Sequence, residues 1–416
     1  MRRSLPVAAL MLATAMSAVP TLNAAHAAPQ SVANRTQITP GGMAGSLSKA
    51  ASSRYLGANL SGIVIDESSG KTLWSHNAGR TRMPASTQKV ITAYTALHSM
   101  SPKHQLVTRS YQSKAVPSNV YLKGAGDPSL TSAKLKTLAA RSASALKAQG
   151  VNTVTVYGDA SVFPAPTSAT GWKSSYLTHK EVQHVRGLTL RGYRGSNGTL
   201  AAASTFATHL KSYGVNVRTV GSATAPAARR ELSASWSAPV RELLGQMLRV
   251  SDNDYAEYFL RLSALEAGRY PTWSSSLAHQ RAVLTETGVP LAGYRAYDGS
   301  GLSRSNRMPV RTLSSVVDKL WDDPATRSVA FAPSSMPRAG QSGTLRARFR
   351  STAQRCATGR VLAKTGTLGD AVALAGVAKG SDGRNRVFVF IENGRSETSA
   401  VRYAMDTLAT SVVGCS

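Results

Sequence analysis

The sequence predicts an α/β fold in which one discontinuous domain is interrupted by a smaller inserted α/β domain. Three observations carry this reading. Strand-like runs near both ends of the chain flank segments whose apolar residues recur at helical spacing. From about Thr108 to Ser235 the texture changes to short strands alternating with Ala-rich helical stretches. The helical pattern then resumes at Val240. The expected division is a leader at 1–27, a main domain from 28–107 and 236–416, and an insert at 108–235. With 416 residues, 42% of them hydrophobic, and 5 Trp, the chain can bury a sizeable core without a cofactor to hold it.

In order along the chain, Arg2 and Arg3 precede an apolar run from Leu5 to Val19 and the small residues Ala24 to Ala28. This reads as a secretory signal peptide cut after Ala27. The run is shorter than the roughly 20 residues that span a bilayer, and no later stretch approaches that length, so the mature chain is expected outside the cytoplasmic membrane without a transmembrane segment. Residues 28 to about 45 are polar and read as a processed or mobile leader. A helix is expected from Leu47 to Arg54. Strands are expected at Asn59–Ile65 and Thr72–Ser75 around Ser68-Ser69-Gly70. Pro84 opens a helix on which Val90, Ile91, Tyr94 and Leu97 form the buried face. In the insert, strands at Val120–Lys123 and Thr153–Tyr157 alternate with helices at Leu135–Ala148 and Leu200–Tyr213. Helices at Val240–Val250 and Tyr255–Leu265 are separated by Ser251-Asp252-Asn253. Strands at Val361–Lys364, Val372–Ala378 and Arg386–Glu392 precede a closing helix at Ser396–Val412.

The net charge of +28 raises nucleic acid as a partner, but the Lys and Arg are spread along the whole chain and no nucleic-acid-binding motif accompanies them. An anionic cell-wall polymer or membrane surface suits a secreted cation better, and plain solvated surface charge suits it equally well. Cys356 and Cys415 are the 2 cysteines. They can pair in an oxidising compartment or remain two buried thiols. With 8 scattered His, no zinc-ligand spacing is present and no metal is implied.

Chemistry is concentrated in an ordered trio: Ser86-x-x-Lys89, Ser251-Asp252-Asn253 and Lys364-Thr365-Gly366. A serine needs a base, and a lysine serves when burial and nearby positive charge lower its pKa. The spacing of Ser86 and Lys89 places both on one helix face. Alone it says little, since Ser46 to Lys49 and Ser144 to Lys147 repeat it and Ser75-His76-Asn77 imitates the second element. Lys-Thr-Gly occurs once. The trio in this order is the signature of penicillin-binding proteins and class A β-lactamases.

The chain resembles the low-molecular-mass penicillin-binding proteins that act as D-Ala-D-Ala carboxypeptidases and endopeptidases, actinomycete enzymes with an inserted domain among them. Besides the trio, the resemblance rests on Pro84 to Lys89, Gly124 to Leu130, Asp298 to Arg304, Gly343 to Arg346 and Ala363 to Leu368. It implies a serine β-lactamase/transpeptidase-like domain, an antiparallel sheet with helices on both faces. It also implies roles. Ser86 is acylated and Lys89 takes its proton, Ser251 relays a proton to the leaving amine, Asn253 binds the acyl-side amide, and Lys364 supplies positive potential. Thr365 and Thr367 bind the substrate carboxylate, with Gly366 and Leu302 also in the substrate site, and the N–H groups of Ser86 and Thr367 form an oxyanion hole. The implied partners are peptidoglycan stem peptides and β-lactams, with no organic cofactor and no nucleic acid.

Two departures stand out. The step from Ser86 to Ser251 suggests a trimmed insert. Asp370 puts a carboxylate near a carboxylate-binding site and is expected to turn away toward an arginine. The Gly124 to Leu130 run is expected to be structural, with no helix N-terminus behind it to hold a phosphate. A β-lactamase is disfavoured because none of Glu257, Glu266 and Glu286 stands in the pattern of a deacylating glutamate. A Ser-His-Asp hydrolase lacks its nucleophile elbow. A non-catalytic wall-binding module is the third alternative.

Overall fold

The structure is a computed structural model whose described residues run from 40 to 415. The expected leader at 1–27 and most of the polar stretch after it lie outside those residues. The chain begins with α1 (Pro40–Ala51), the hairpin β1 (Ser61–Asp66) and β2 (Thr72–His76), the short β3 (Thr81–Arg82), and a 3-10 turn at Ala85–Thr87 that runs into α2 (Gln88–Ser99). Then come β4 (Val107–Ser113), β5 (Asn119–Lys123), α3 (Ser132–Lys147), β6 (Thr153–Asp159), the single-turn α4 (Ser175–Thr178), α5 (Gly198–Ser212), β7 (Asn216–Ser222) and β8 (Arg229–Trp236). The chain continues through α6 (Val240–Val250), α7 (Asn253–Glu266), α8 (Trp273–Glu286), β9 (Met308–Pro309), α9 (Val310–Asp322) and α10 (Pro324–Ala330). It closes with β10 (Val361–Leu368), β11 (Ala371–Lys379), β12 (Asn385–Asn393) and α11 (Thr398–Val413).

The first sheet has the order β10-β11-β12-β1-β2 and is antiparallel at every pairing. Its central strands are apolar at successive positions because both faces are covered, and the period of two sorts them. Val387, Val389 and Ile391 of β12, with Ala373 and Ala375 of β11, enter one core with α2, α6, α7 and α9. Phe388, Phe390, Val372 and Leu374 enter the other with Met43 and Leu47 of α1 and Met405 and Leu408 of α11. Each such large side chain contributes roughly 2 kcal/mol by leaving water. A charge at Val389, 0% exposed, would break the packing of the catalytic-side core. The β1–β2 turn is held by Asp66, whose Oδ1 accepts from the Ser68 and Ser69 hydroxyls and the Ser69 N–H.

The second sheet draws its strands from residues 107 to 236, in the order β7-β6-β5-β4-β8, with β5, β6 and β7 parallel. The two crossovers are α3 and α5, which bury Leu135, Leu138, Phe206 and Leu210 against Val120, Leu122, Val154 and Val156. The segment between β6 and α5 leaves this sheet: Phe163 and Val185 are buried in the first core, beside Tyr258 and Phe259 of α7.

Two sequence expectations need correction. The first helix begins at Pro40 and ends at Ala51, so residues 40–45 are not loose leader. Met43 and Leu47, 1% and 0% exposed, are packed against α11, and this tertiary contact outweighs the poor helix propensity of Gly41 and Gly42. Second, a helix N-terminus does follow the Gly124 to Leu130 run, because α3 starts at Ser132 and Thr131 caps it by accepting from the Lys134 N–H. The run is structural for another reason. A Cβ on Gly124 would sit 2.1 Å from the Gly187 carbonyl oxygen, so glycine allows two backbones to meet there. Cys356 and Cys415 form a disulfide, the first of the two states the sequence left open.

Candidate active site

Several elements and loops converge on a cleft of about 590 Å³ lined by Ser86, Ser251, Asn253, Leu302, Arg304 and Thr367, among others. Ser86 stands in the 3-10 turn before α2, where unpaired N–H groups make the potential positive. The turn is tightly wedged. Ala85 has φ 46°, and Gly301 packs so closely that a Cβ there would meet the Ala85 carbonyl oxygen at 1.8 Å. From the other side Gly366 of β10 presses on the same turn, and a Cβ on it would lie 2.8 Å from the Pro84 oxygen and 3.1 Å from the Ser86 nitrogen. The glycine of Lys364-Thr365-Gly366 is therefore what lets the edge strand approach the nucleophile.

Lys89, one turn into α2, is fully buried beneath the floor of the cleft. Its Nζ lies 3.0 Å from Ser86 Oγ, 2.7 Å from Asn253 Oδ1 and 2.8 Å from the Ser300 carbonyl oxygen. Burial pushes Lys89 down to about 8, against the opposing pull of Glu257, Asp298, Asp252 and Asp254. The three partners serve both forms: the ammonium donates to all of them, and the free amine keeps its two N–H bonds on the carbonyl oxygens and turns its lone pair to the Ser86 hydroxyl proton.

Ser251 caps α6 in the left-handed conformation, φ 61° and ψ 39°, a strained choice for serine that turns its hydroxyl toward β10. Lys364 Nζ donates to Ser251 Oγ at 2.8 Å and to the Thr365 carbonyl at 2.7 Å. Burial, and then the charge of Lys89, push Lys364 well below the ordinary lysine value. Asp252 caps α7 by accepting from the Tyr255 N–H, which places Asn253 in the first turn facing Lys89.

The residues singled out from sequence meet at this place, some on the cleft surface and others, such as Lys89 and Lys364, buried behind it. Thr367 and Leu302 line the cleft, whereas Thr365 is not among the lining residues and donates its hydroxyl to Thr344 Oγ1 at 2.8 Å. Of the two threonines expected to hold the substrate carboxylate, Thr367 is the one that faces the cleft. Asp370 pairs with Arg304 through two contacts of 2.8 and 2.6 Å, and the guanidinium holds its carboxyl below the usual range. The imitations fall elsewhere: Ser144 and Lys147 are exposed on α3, and Asn77 follows β2 with φ 49°.

Sequence reasoning missed several contributors. Lys173, Tyr176 and Glu181, from the segment between β6 and α5, line the cleft, and the Glu181 carbonyl accepts from Asn253 Nδ2 at 2.8 Å. That irregular segment has no periodicity to flag it. Asp298 accepts from the N–H groups of Gly301 and Ser303, from Asn306 Nδ2 and from Trp172 Nε1, and so ties that segment to the loop carrying Ser300.

A serine in hydrogen-bond contact with a lysine one turn later, facing a second hydroxyl and an edge strand with a buried cation, is the arrangement of the penicillin-interacting class of serine acyl-transferases. Residues 43–200 and 185–412 match the D-Ala-D-Ala carboxypeptidase 3 (S13) family. The chain belongs to this family and is a serine-type D-Ala-D-Ala carboxypeptidase. A carboxypeptidase of Mycobacterium tuberculosis is 32% identical over 408 residues, covering 91% of this chain and 86% of its own. A D-alanyl-D-alanine carboxypeptidase of Actinomadura sp. is 28% identical, covering 80% of this chain and 77% of its own. In fold, the chain is similar to the crystal structure of penicillin binding protein 4 from Haemophilus influenzae, with TM-score 0.76 at 20% identity, covering 88% of this chain and 98% of that one.

Proposed function

We propose that Ser86 is the residue acylated by peptidoglycan stem peptides ending in D-Ala-D-Ala, and by β-lactams, with Lys89 as its base. The observation that carries this is the three-partner environment of the Lys89 Nζ. Ser86 Oγ attacks the carbonyl carbon of the penultimate D-Ala while its proton passes to the Lys89 amine. The carbonyl oxygen becomes an oxyanion against the N–H groups of Ser86 and Thr367, where one such donor is worth roughly 3 kcal/mol. The C–N bond then breaks. The proton needed by the departing D-alanine nitrogen arrives through the Ser251 hydroxyl, which the Lys364 Nζ holds in place. Water completes the carboxypeptidase reaction. A cross-linked peptide on the leaving side would make the same acylation an endopeptidase step.

A β-lactamase reading is disfavoured by the fate of its candidate glutamates. Glu257 is buried with both oxygens on backbone N–H groups, and Glu266 pairs with His104. The expected site of action is outside the cytoplasmic membrane. The amino-terminal leader pattern and the disulfide suit an oxidising compartment, and the charge of +28 suits an anionic wall. No helix among the described residues is long and apolar enough to cross a membrane.

Intact-protein mass spectrometry after incubation with benzylpenicillin, with peptide mapping and an assay of released D-alanine, tests the reading. A stable adduct on Ser86, absent in Ser86→Ala, together with D-alanine release is expected. Rapid drug hydrolysis with no adduct would turn the case to a β-lactamase, and neither reaction would leave a wall-binding module.

A further inference from the structure

Lys89 depends on an acceptor that is not a side chain, the Ser300 carbonyl. The peptide groups around it are clamped from two helices. From α2, Lys89 Nζ donates to the Ser300 oxygen at 2.8 Å, and Thr92 Oγ1 donates to the Gly299 oxygen at 2.7 Å. From α7, Glu257 Oε2 accepts the Gly299 N–H at 2.9 Å and Oε1 accepts the Ser300 N–H at 2.8 Å. Every polar group of two consecutive residues' backbone is thus engaged. Glu257 lies four residues after Asn253, on the same face of α7, so α7 controls both acceptors of the Lys89 amine. It holds Asn253 Oδ1 directly and the Ser300 oxygen through Glu257.

We propose that Glu257 is a positioning residue for acylation, which fixes the Gly299–Ser300 backbone so that Lys89 aims its lone pair at Ser86. Glu257 and Lys89 are each 0% exposed. The charged groups around them are Asp298 in the clamped loop, Asp252, Asp254 and Arg261 on α7 and, across the cleft floor, Lys364. Burial and then Asp298 push Glu257 up to about 8, while the two N–H donors pull it back. The two N–H donors favour the ionised carboxylate while burial and Asp298 favour the neutral acid, and either form keeps the Gly299–Ser300 backbone on the two carboxyl oxygens. A glutamine has the same shape but only one acceptor, and its NH₂ would confront an N–H of the loop.

Glu257→Gln therefore has two separable effects. The mispositioned Ser300 carbonyl slows acylation by about 10- to 100-fold, the scale set by a displaced catalytic group. Removing a carboxyl that, where ionised, holds the Lys89 proton moves the midpoint of the acylation profile to lower pH. The experiment measures the second-order rate of labelling by a fluorescent penicillin against pH for wild type, Glu257→Gln and Thr92→Val. Thr92→Val loosens the same loop from the other helix without changing charge, so it should slow labelling with the midpoint unmoved. A folded Glu257→Gln with its midpoint and rate unchanged would overturn the proposal. Should that variant not fold, a Thr92→Val enzyme of full rate would do so. The inference rests on Lys89 being the base. Normal labelling of Lys89→Ala would remove that reading itself, whereas a dead Lys89→Ala beside an unshifted Glu257→Gln would remove only the role of Glu257.

Discussion

The pH dependence of acylation can be worked from the position of Lys89. Only the free amine can take the Ser86 proton, and burial places the lysine at about 8. At pH 7 about 9% of the enzyme then carries the free amine, at pH 8 about half, and at pH 9 about 90%. An unperturbed lysine would offer only about 0.03% at pH 7, so burial raises the competent population roughly 300-fold. The sign follows from the direction of the shift. The folded-state value is lowered, so activity is lost as pH falls through 8 and recovered above it. The acylation rate should rise about tenfold between pH 7 and 9 and change by about one log unit per pH unit below pH 7. Stopped-flow labelling with a fluorescent β-lactam, at constant ionic strength and with stability checked at each pH, reads this directly. A flat profile from pH 6 to 9, or one that falls with rising pH, would refute Lys89 as a base working from its neutral form.

Two further outcomes concern the frame around the site. Gly366→Ala places a methyl group against the Pro84 oxygen, the Ala85 Cβ and the Ser86 nitrogen at 2.8, 3.1 and 3.1 Å. β10 must retreat from the nucleophile, and β-lactam acylation should fall by about tenfold or more while the melting temperature changes little. Reducing the Cys356–Cys415 disulfide, whose cysteines are 59 residues apart in sequence, should lower stability by roughly 4 kcal/mol in the chain-entropy account. Urea midpoints with and without reductant measure this, and an unchanged midpoint would mean that the bridge does not constrain the unfolded chain.

The parts of this molecule legible in its sequence are those with a period or a motif. The strands β11 and β12 are apolar runs bounded by a Ser-Asp-Gly turn, and α6 repeats Val240, Leu243, Leu244, Met247 and Leu248 at helical spacing. The three short motifs name the residues at the bottom of the cleft because each needs a particular side chain. What was not legible works through backbone. The Ser300 carbonyl and the Glu181 carbonyl hold Lys89 and Asn253, and a carbonyl leaves no mark on residue identity. Glu257 was visible as a glutamate, but only the fold shows that it faces the loop at Gly299. The start of α1 was missed because Gly41-Gly42 argues against a helix, while the contact that stabilises it, with α11, is remote in sequence.

The segment between β6 and α5 belongs by sequence to the insert and by packing to the core beneath α7. It also supplies Lys173, Tyr176 and Glu181 to the cleft. The stretch from 107 to 236 is therefore not a cassette that engineering could exchange at its two ends. A chimera built there would carry one wall of the reaction chamber with it, including the carbonyl that orients Asn253, and would transplant part of the chemistry together with the second sheet.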